Sequence, residues 1–154
     1  MKRKDYDSAV ALLEQLIESA AEDIPLTLMD KAPETFEGIK EYYTRHRRLA
    51  IYSGASDKTI YSRPEINHKF RALHDKTHIE YGLGFSVADE LKVAGIQAEF
   101  FERMAWNRGR DNLAGAIHSI IMVEVYTQRV CTEITGLFVS DQKAFALRFL
   151  GVEQ

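Results

Sequence analysis

The pattern His74-Asp75-Lys76-Thr77-His78, followed by Glu90 after eleven intervening residues, constrains this chain more than any other feature. At about 100° per residue, side chains four apart stand one turn apart on the same helix face, with Asp75 at its edge. Two imidazoles and two carboxylates at these spacings make a donor set suited to a divalent ion such as zinc, iron or manganese. Gly82-Leu83-Gly84-Phe85 then breaks the helix, and Ser86 restarts it. A short turn there makes the two helices antiparallel neighbours and sets residues equidistant from the turn at the same height. His78 and Glu90 are such a pair, so Glu90 is expected opposite His78, within reach of the same ion. A lone His-x-x-x-His pair is common on solvated helices; four donors at compatible heights are the stronger signal.

The surrounding pattern supports this placement. Ser62-Arg63-Pro64-Glu65 has the form of a capping box with proline in the first turn, which starts the helix carrying the two histidines. Ile66, Phe70, Leu73 and Thr77 line one stripe, and His74, His78 and Tyr81 run beside it. His68 falls on another face and is expected at the surface. Gly82 serves as the C-terminal cap and Ser86 as the next N-cap. In the following helix Leu91, Ala94, Ala98, Phe101 and Ala105 form the apolar stripe, with Glu90, Val93, Gln97 and Phe100 beside it. Gln97 is either a hydrogen-bond partner for a metal ligand or substrate, or a rim glutamine.

A fifth helix is expected from about residue 112 to 135, with Asp111 as its N-cap. Ile117, Ile120, Ile121 and Val125 point inward, and Glu124 and Gln128 lie on or near that face. Antiparallel pairing across a turn near Gly109 brings Gln128 to the level of Glu90 and Glu124 close to it. The same pairing sets His118 roughly 15 Å along the axis from Glu90, as a core histidine. A carboxylate among isoleucines needs a reason, because burying it unpaired costs several kcal/mol. A bond from Glu124 to His74 or His78, a basic partner, or a catalytic role would each supply one.

The remainder reads as helix and connector. The first helix runs from about Tyr6 to Ala21 on Ala9, Leu12, Leu13, Leu16 and Ile17, and ends before Pro25. Pro25 to Pro33 is a connector, with room for a helical turn at Leu26 to Asp30. The second helix starts after Pro33 and extends towards Tyr52. Within it, Thr44-Arg45-His46-Arg47-Arg48 is the most basic run, read as a helix C-terminus or as a phosphate or anionic-lipid contact. Gly136 ends the fifth helix, and Ser140 caps a last one that Gly151 closes. Phe138 and the outer side of that helix are a candidate homo-oligomer contact. At 154 residues, this is one all-α domain of about six helices with a metal site between two antiparallel ones.

Composition removes several alternatives. With 45% hydrophobic and 28% charged residues and a formal net charge of −3, the chain does not read as a general nucleic-acid binder. A single cysteine, Cys131, cannot form a disulfide framework and suits a reducing compartment. No apolar run has the ~18 residues of a membrane span. The basic start leads into an amphipathic segment, and the cytoplasm is the expected location.

The motif also carries family resemblances. His74, Asp75, His78 and Glu90, in the form H-D-x-x-H-(x)11-E with Gly82 four residues after the second histidine, resemble the signature of the coenzyme Q biosynthesis protein family. The resemblance spans about residues 70 to 97; Asp89 stands where that family usually has glycine. It implies an all-helical fold, a zinc-type metal on those four residues and a lipid-like ligand. The ligand is a prenylated ring acid, for removal of its carboxyl group or for organising a biosynthetic complex. Leu73-His74-Asp75 is also similar to the centre of the HD phosphohydrolase superfamily, which implies metal-dependent hydrolysis of nucleotides. That superfamily uses an earlier histidine and a later aspartate; His46 or His68 and Asp111 or Asp141 are the candidates here, with Arg45 or Arg48 to steer the anion. A third reading is a structural metal clamp in a non-enzymatic scaffold or binding protein.

Overall fold

The computed structural model describes residues 1–153. Helix α1 spans Arg3–Ala20 and buries Tyr6, Ala9, Leu12, Leu13, Leu16 and Ile17, the stripe its periodicity dictates. Helices α3 (Pro64–Tyr81), α4 (Val87–Asn107) and α5 (Asp111–Met122) pack around it, with α4 and α5 the most extensive pair. Their shared core holds Phe101, Ala105, Leu113, Ile117, Ile120 and Ile121. A π-helical turn, Val123–Thr127, joins α5 to α6 (Gln128–Thr135), and α7 (Gln142–Phe149) closes the chain. Counting α5 through α6 as one interrupted helix gives six helices among the described residues, so the chain is a helical bundle.

The region between α1 and α3 departs from the all-helical expectation. Leu26–Met29 is strand β1 and Leu49–Tyr52 is strand β2, paired in parallel from Leu26 with Leu49 to Met29 with Tyr52. Helix α2, Phe36–His46, is the crossover that a parallel pair requires. The second helix therefore stops six residues before Tyr52, and the expected helical turn at Leu26 to Asp30 is a strand. Arg47 causes the stop: it adopts a left-handed conformation (φ 54°) as the C-cap, which few non-glycine residues do. Arg48 then crosses to the other strand, donating to the Leu26 carbonyl at 2.6 Å and to Thr27 Oγ1 at 3.0 Å. Leu49 and Ile51 bury against Ala72 of α3 in a small second core.

Other departures are local. Ser62 does not cap α3; its Oγ donates to Glu14 Oε2 at 2.9 Å, and Arg63 occupies the cap position ahead of Pro64. Arg110 rather than Asp111 precedes α5, and Asp141 rather than Ser140 caps α7, accepting from the Ala144 N–H. His68 is buried, in contact with Ser56 Oγ at 3.2 Å and the Ser53 carbonyl at 3.1 Å. His118 is no core residue: its half-exposed ring donates to Glu102 at 2.8 Å. Leu91 lies at the surface, and Val93 takes its place in the core. Ile134, Leu137 and Phe138 are exposed around the end of α6. No helix among the described residues is long and apolar enough to cross a membrane.

Candidate metal centre

The α3–α4 hairpin builds the site from its turn outward. Gly82 takes the left-handed C-cap conformation (φ 62°), and the Leu83 N–H closes back on the His78 carbonyl at 3.0 Å. Ser86 Oγ caps α4 through the Asp89 N–H, and Asp89 Oδ2 accepts from the Gly84 N–H at 3.1 Å. This double tie holds the turn rigid and puts the Leu83 carbonyl against α3. His78 Nδ1 donates to that carbonyl at 2.9 Å, and the His78 ring meets the Phe85 ring edge-on at 4.8 Å.

His74, His78 and Glu90 converge. His78 Nε2 lies 3.0 Å from His74 Nε2, and each is 3.5 Å from Glu90 Oε2. His78 is fully buried and Glu90 is buried, so none of the three pairs is a solvated surface contact. Burial lowers the His74 pKa, against the opposing charge of Glu90. Burial also pulls on His78, but its hydrogen bonds with Glu90 and Leu83 carry it above its ordinary value. Burial disfavours the Glu90 carboxylate, yet the hydrogen bond from His78 and the charges of His74, His78 and Arg129 hold it below the usual range.

The proton positions follow from the outer partners. His74 Nδ1 faces Gln97 Oε1 at 3.1 Å and His78 Nδ1 faces a main-chain carbonyl. Both outer partners accept hydrogen bonds, which favours a proton on each Nδ1 and leaves each Nε2 facing Glu90 Oε2. Without an ion, a further proton on His78 Nε2 makes the hydrogen bond to Glu90 that raises the His78 pKa; a divalent ion can take that proton's place. A divalent ion with bonds of about 2.0–2.1 Å reaches both nitrogens and the carboxylate, because every separation is under twice that length. Outer hydrogen bonds that fix the ring tautomer are the usual accompaniment of metal-binding histidine. The donor set fits a metal.

Asp75 does not join this three-residue group. Burial, assisted by the Glu90 charge and opposed by His78 and Arg71, pushes its pKa up to about 7. Gln97 hydrogen-bonds His74, one of the three residues that could hold an ion. Glu124 orients neither histidine; its Oε1 accepts from Gln128 Nε2 at 2.9 Å. His46, His68, Asp111 and Asp141 also stand outside the group.

A cavity of about 290 Å³ opens beside the triad, lined by His74 and Glu90 together with Glu124, Gln128, Arg71 and Arg129. Phe70, Val125 and Phe138 give it apolar surface. The arginines were not evident from sequence. In a regular α-helix, residues five apart diverge by about 140° around the axis, which separates Arg129 from Glu124. The π turn narrows that divergence: the Gln128 N–H bonds the Val123 carbonyl, five residues back. The Leu83 carbonyl was equally hidden, since only the folded turn presents it. No family profile matches this chain, and neither a curated protein nor a solved structure matches it.

Proposed function

We propose that this chain is a metal-dependent enzyme. One divalent ion, zinc first with iron or manganese as alternatives, is held by His74, His78 and Glu90 beside a cavity that takes an acidic organic molecule. The observation that carries the reading is the convergence of three lone-pair donors at the edge of a cavity that two of them line. When bound, such an ion supplies Lewis-acid polarisation. The chain's own residues do the rest. Gln97 and the Leu83 carbonyl hold the two imidazoles in one tautomer, and Glu90 contributes a single negative charge. Glu124 in the cavity and Asp75 next to His74 are buried carboxyls placed to hold or release a proton.

Following the resemblance to the coenzyme Q biosynthesis proteins, the ligand is a prenylated ring acid that loses its carboxyl group. Phe70, Val125 and Phe138 supply contact for its apolar part. Arg129 in the cavity favours a second reading, hydrolysis of a phosphate ester, because guanidinium groups bind phosphate in a bidentate fashion. A purely structural ion, the third reading, gives no role to the cavity. The test uses protein purified without a chelating tag and loaded with metal, offered prenylated hydroxybenzoic acids and, separately, a nucleotide panel. The expected result is metal-dependent loss of the ring carboxyl, detected by mass spectrometry and absent in His78→Ala. Phosphate release from nucleotides, abolished by Asp75→Asn, would replace the first reading with the second. A loaded protein with neither activity would leave the scaffold reading.

A further inference from the structure

The cavity has a second wall whose chemistry metal binding does not use. The π turn and the start of α6 supply it with Glu124, Val125, Gln128 and Arg129. Glu124 is paired with no cation among the described residues, and its hydrogen bond comes from a neutral amide. Burial, only partly offset by that bond, pushes its pKa up to about 8. The groups facing it come from every neighbouring element. Tyr6 on α1 and Tyr61 before α3 lie near enough for its charge to raise their pKa values further, and neither hydroxyl has a partner among the described residues. Arg71 and His74 of α3, Glu90 of α4 and Arg129 of α6 share the cavity.

The two arginines differ in their commitments. Arg71 donates to the carbonyls of Tyr52 and Gly54 at 2.7 Å and of Ala55 at 3.0 Å, so its guanidinium pins the loop after β2. Arg129 pairs through Nη1 with the exposed Glu133 and reaches the Phe85 carbonyl only at 3.4 Å through Nη2. Arg129 is therefore the cation able to turn towards a ligand. An ionised Glu124 in the same cavity would repel an anion; an un-ionised carboxyl offers an O–H donor.

We propose that Glu124 and Arg129 form an oxyanion-binding pair, Glu124 donating a hydrogen bond from its carboxyl and Arg129 supplying charge, for a small organic anion in the cavity. The ligand class is a carboxylate or phosphate head on an apolar body that packs against Phe70, Val125 and Phe138. The inference rests on the reading of this cavity as the ligand site beside the metal. The π turn carries Glu124 and ends before Arg129, in the stretch of chain that lines this wall.

Calorimetric titration of the full chain, loaded with zinc and checked for metal content, tests the pair with benzoate and phenyl phosphate as probes. Wild type binds at least one of them, and the tighter probe identifies the head group. Glu124→Gln keeps a donor and stays near the wild-type affinity, while Glu124→Ala and Arg129→Gln each lose about tenfold or more with metal content unchanged. Wild-type affinity also falls with a one-proton slope as pH rises through the Glu124 titration, a fall that Glu124→Gln lacks. Ionisation of water at the metal would affect both proteins alike, so the difference in slope belongs to Glu124. Wild-type affinity in Glu124→Ala, equal slopes in wild type and Glu124→Gln, or a loaded protein that binds neither probe would overturn the pair. Anion binding by a protein that takes up no metal would instead support the pair and remove the metal reading.

Discussion

The two walls of the cavity are built on different terms. On the α3–α4 side both histidines are held from behind, His74 by Gln97 and His78 by the Leu83 carbonyl, and the turn is tied by Asp89 and Ser86. On the π-turn side the acid has one amide partner, and two tyrosine hydroxyls near it have none among the described residues. The first wall is preorganised for one small, fixed occupant, which suits an ion. The second presents Glu124 and Gln128 at the edge of a cavity, which suits a larger ligand. Regular helices with good caps made the first wall; a helix irregularity made the second.

The sharpest way to break this contrast is to remove a residue from the ordered wall. His78→Ala should abolish stoichiometric metal uptake and, in the metal-free protein, lower unfolding stability by about 2–3 kcal/mol, because a fully buried ring packed on Phe85 is lost. Chemical denaturation with metal analysis reads both effects. Unchanged metal uptake would show that the first wall is not what holds the ion.

A smaller effect is expected one layer out. Gln97→Leu removes the acceptor that fixes the His74 tautomer while keeping the shape of a buried side chain. Metal affinity should fall by about 10–100-fold, measured by competition with a chromophoric chelator. Affinity equal to wild type would mean that the α4 side chain is packing and no more.

A pH titration sharpens the other wall. In the folded, metal-free protein Glu124 titrates near 8, well above an ordinary glutamate. Between its unfolded and folded values the native state keeps a proton that the unfolded state has released. Its contribution is therefore fully present below the unfolded pKa and is lost as pH rises through about 8. Stability of metal-free wild type should decline over that window with a slope of up to one proton, and Glu124→Gln should flatten it. Parallel curves for the two proteins would place the carboxyl in solvent.

What could be read from the residues follows the same division. His74, His78 and Glu90 were legible because helix period and a short turn fix heights without knowledge of packing, and the glycine and serine at that turn do what their backbone preferences dictate. Glu124 and Gln128 were legible as polar residues on an apolar face, and they do line the cavity. Arg129 was not, because a regular helix would have turned it away. Nothing in Val123-Glu124-Val125-Tyr126-Thr127 announces a π turn. The strands failed for a related reason: Leu26–Met29 and Leu49–Tyr52 are four-residue apolar runs, too short for periodicity to separate strand from helix. Their identity rests on Arg47 in a left-handed conformation and on Arg48 bridging to β1, neither of which is a propensity. Asp75 was grouped with the ligands because spacing along a helix gives direction only to within an edge; its carboxyl lies outside the close group of His74, His78 and Glu90.

The claim on which the rest depends is that His74, His78 and Glu90 hold a metal ion together. Elemental analysis of protein purified without a chelating tag, then incubated with zinc, iron or manganese and desalted, tests it most directly. The account predicts about one divalent ion per chain in wild type and none in His74→Ala or His78→Ala. Wild-type protein that remains metal-free after all three incubations would contradict it.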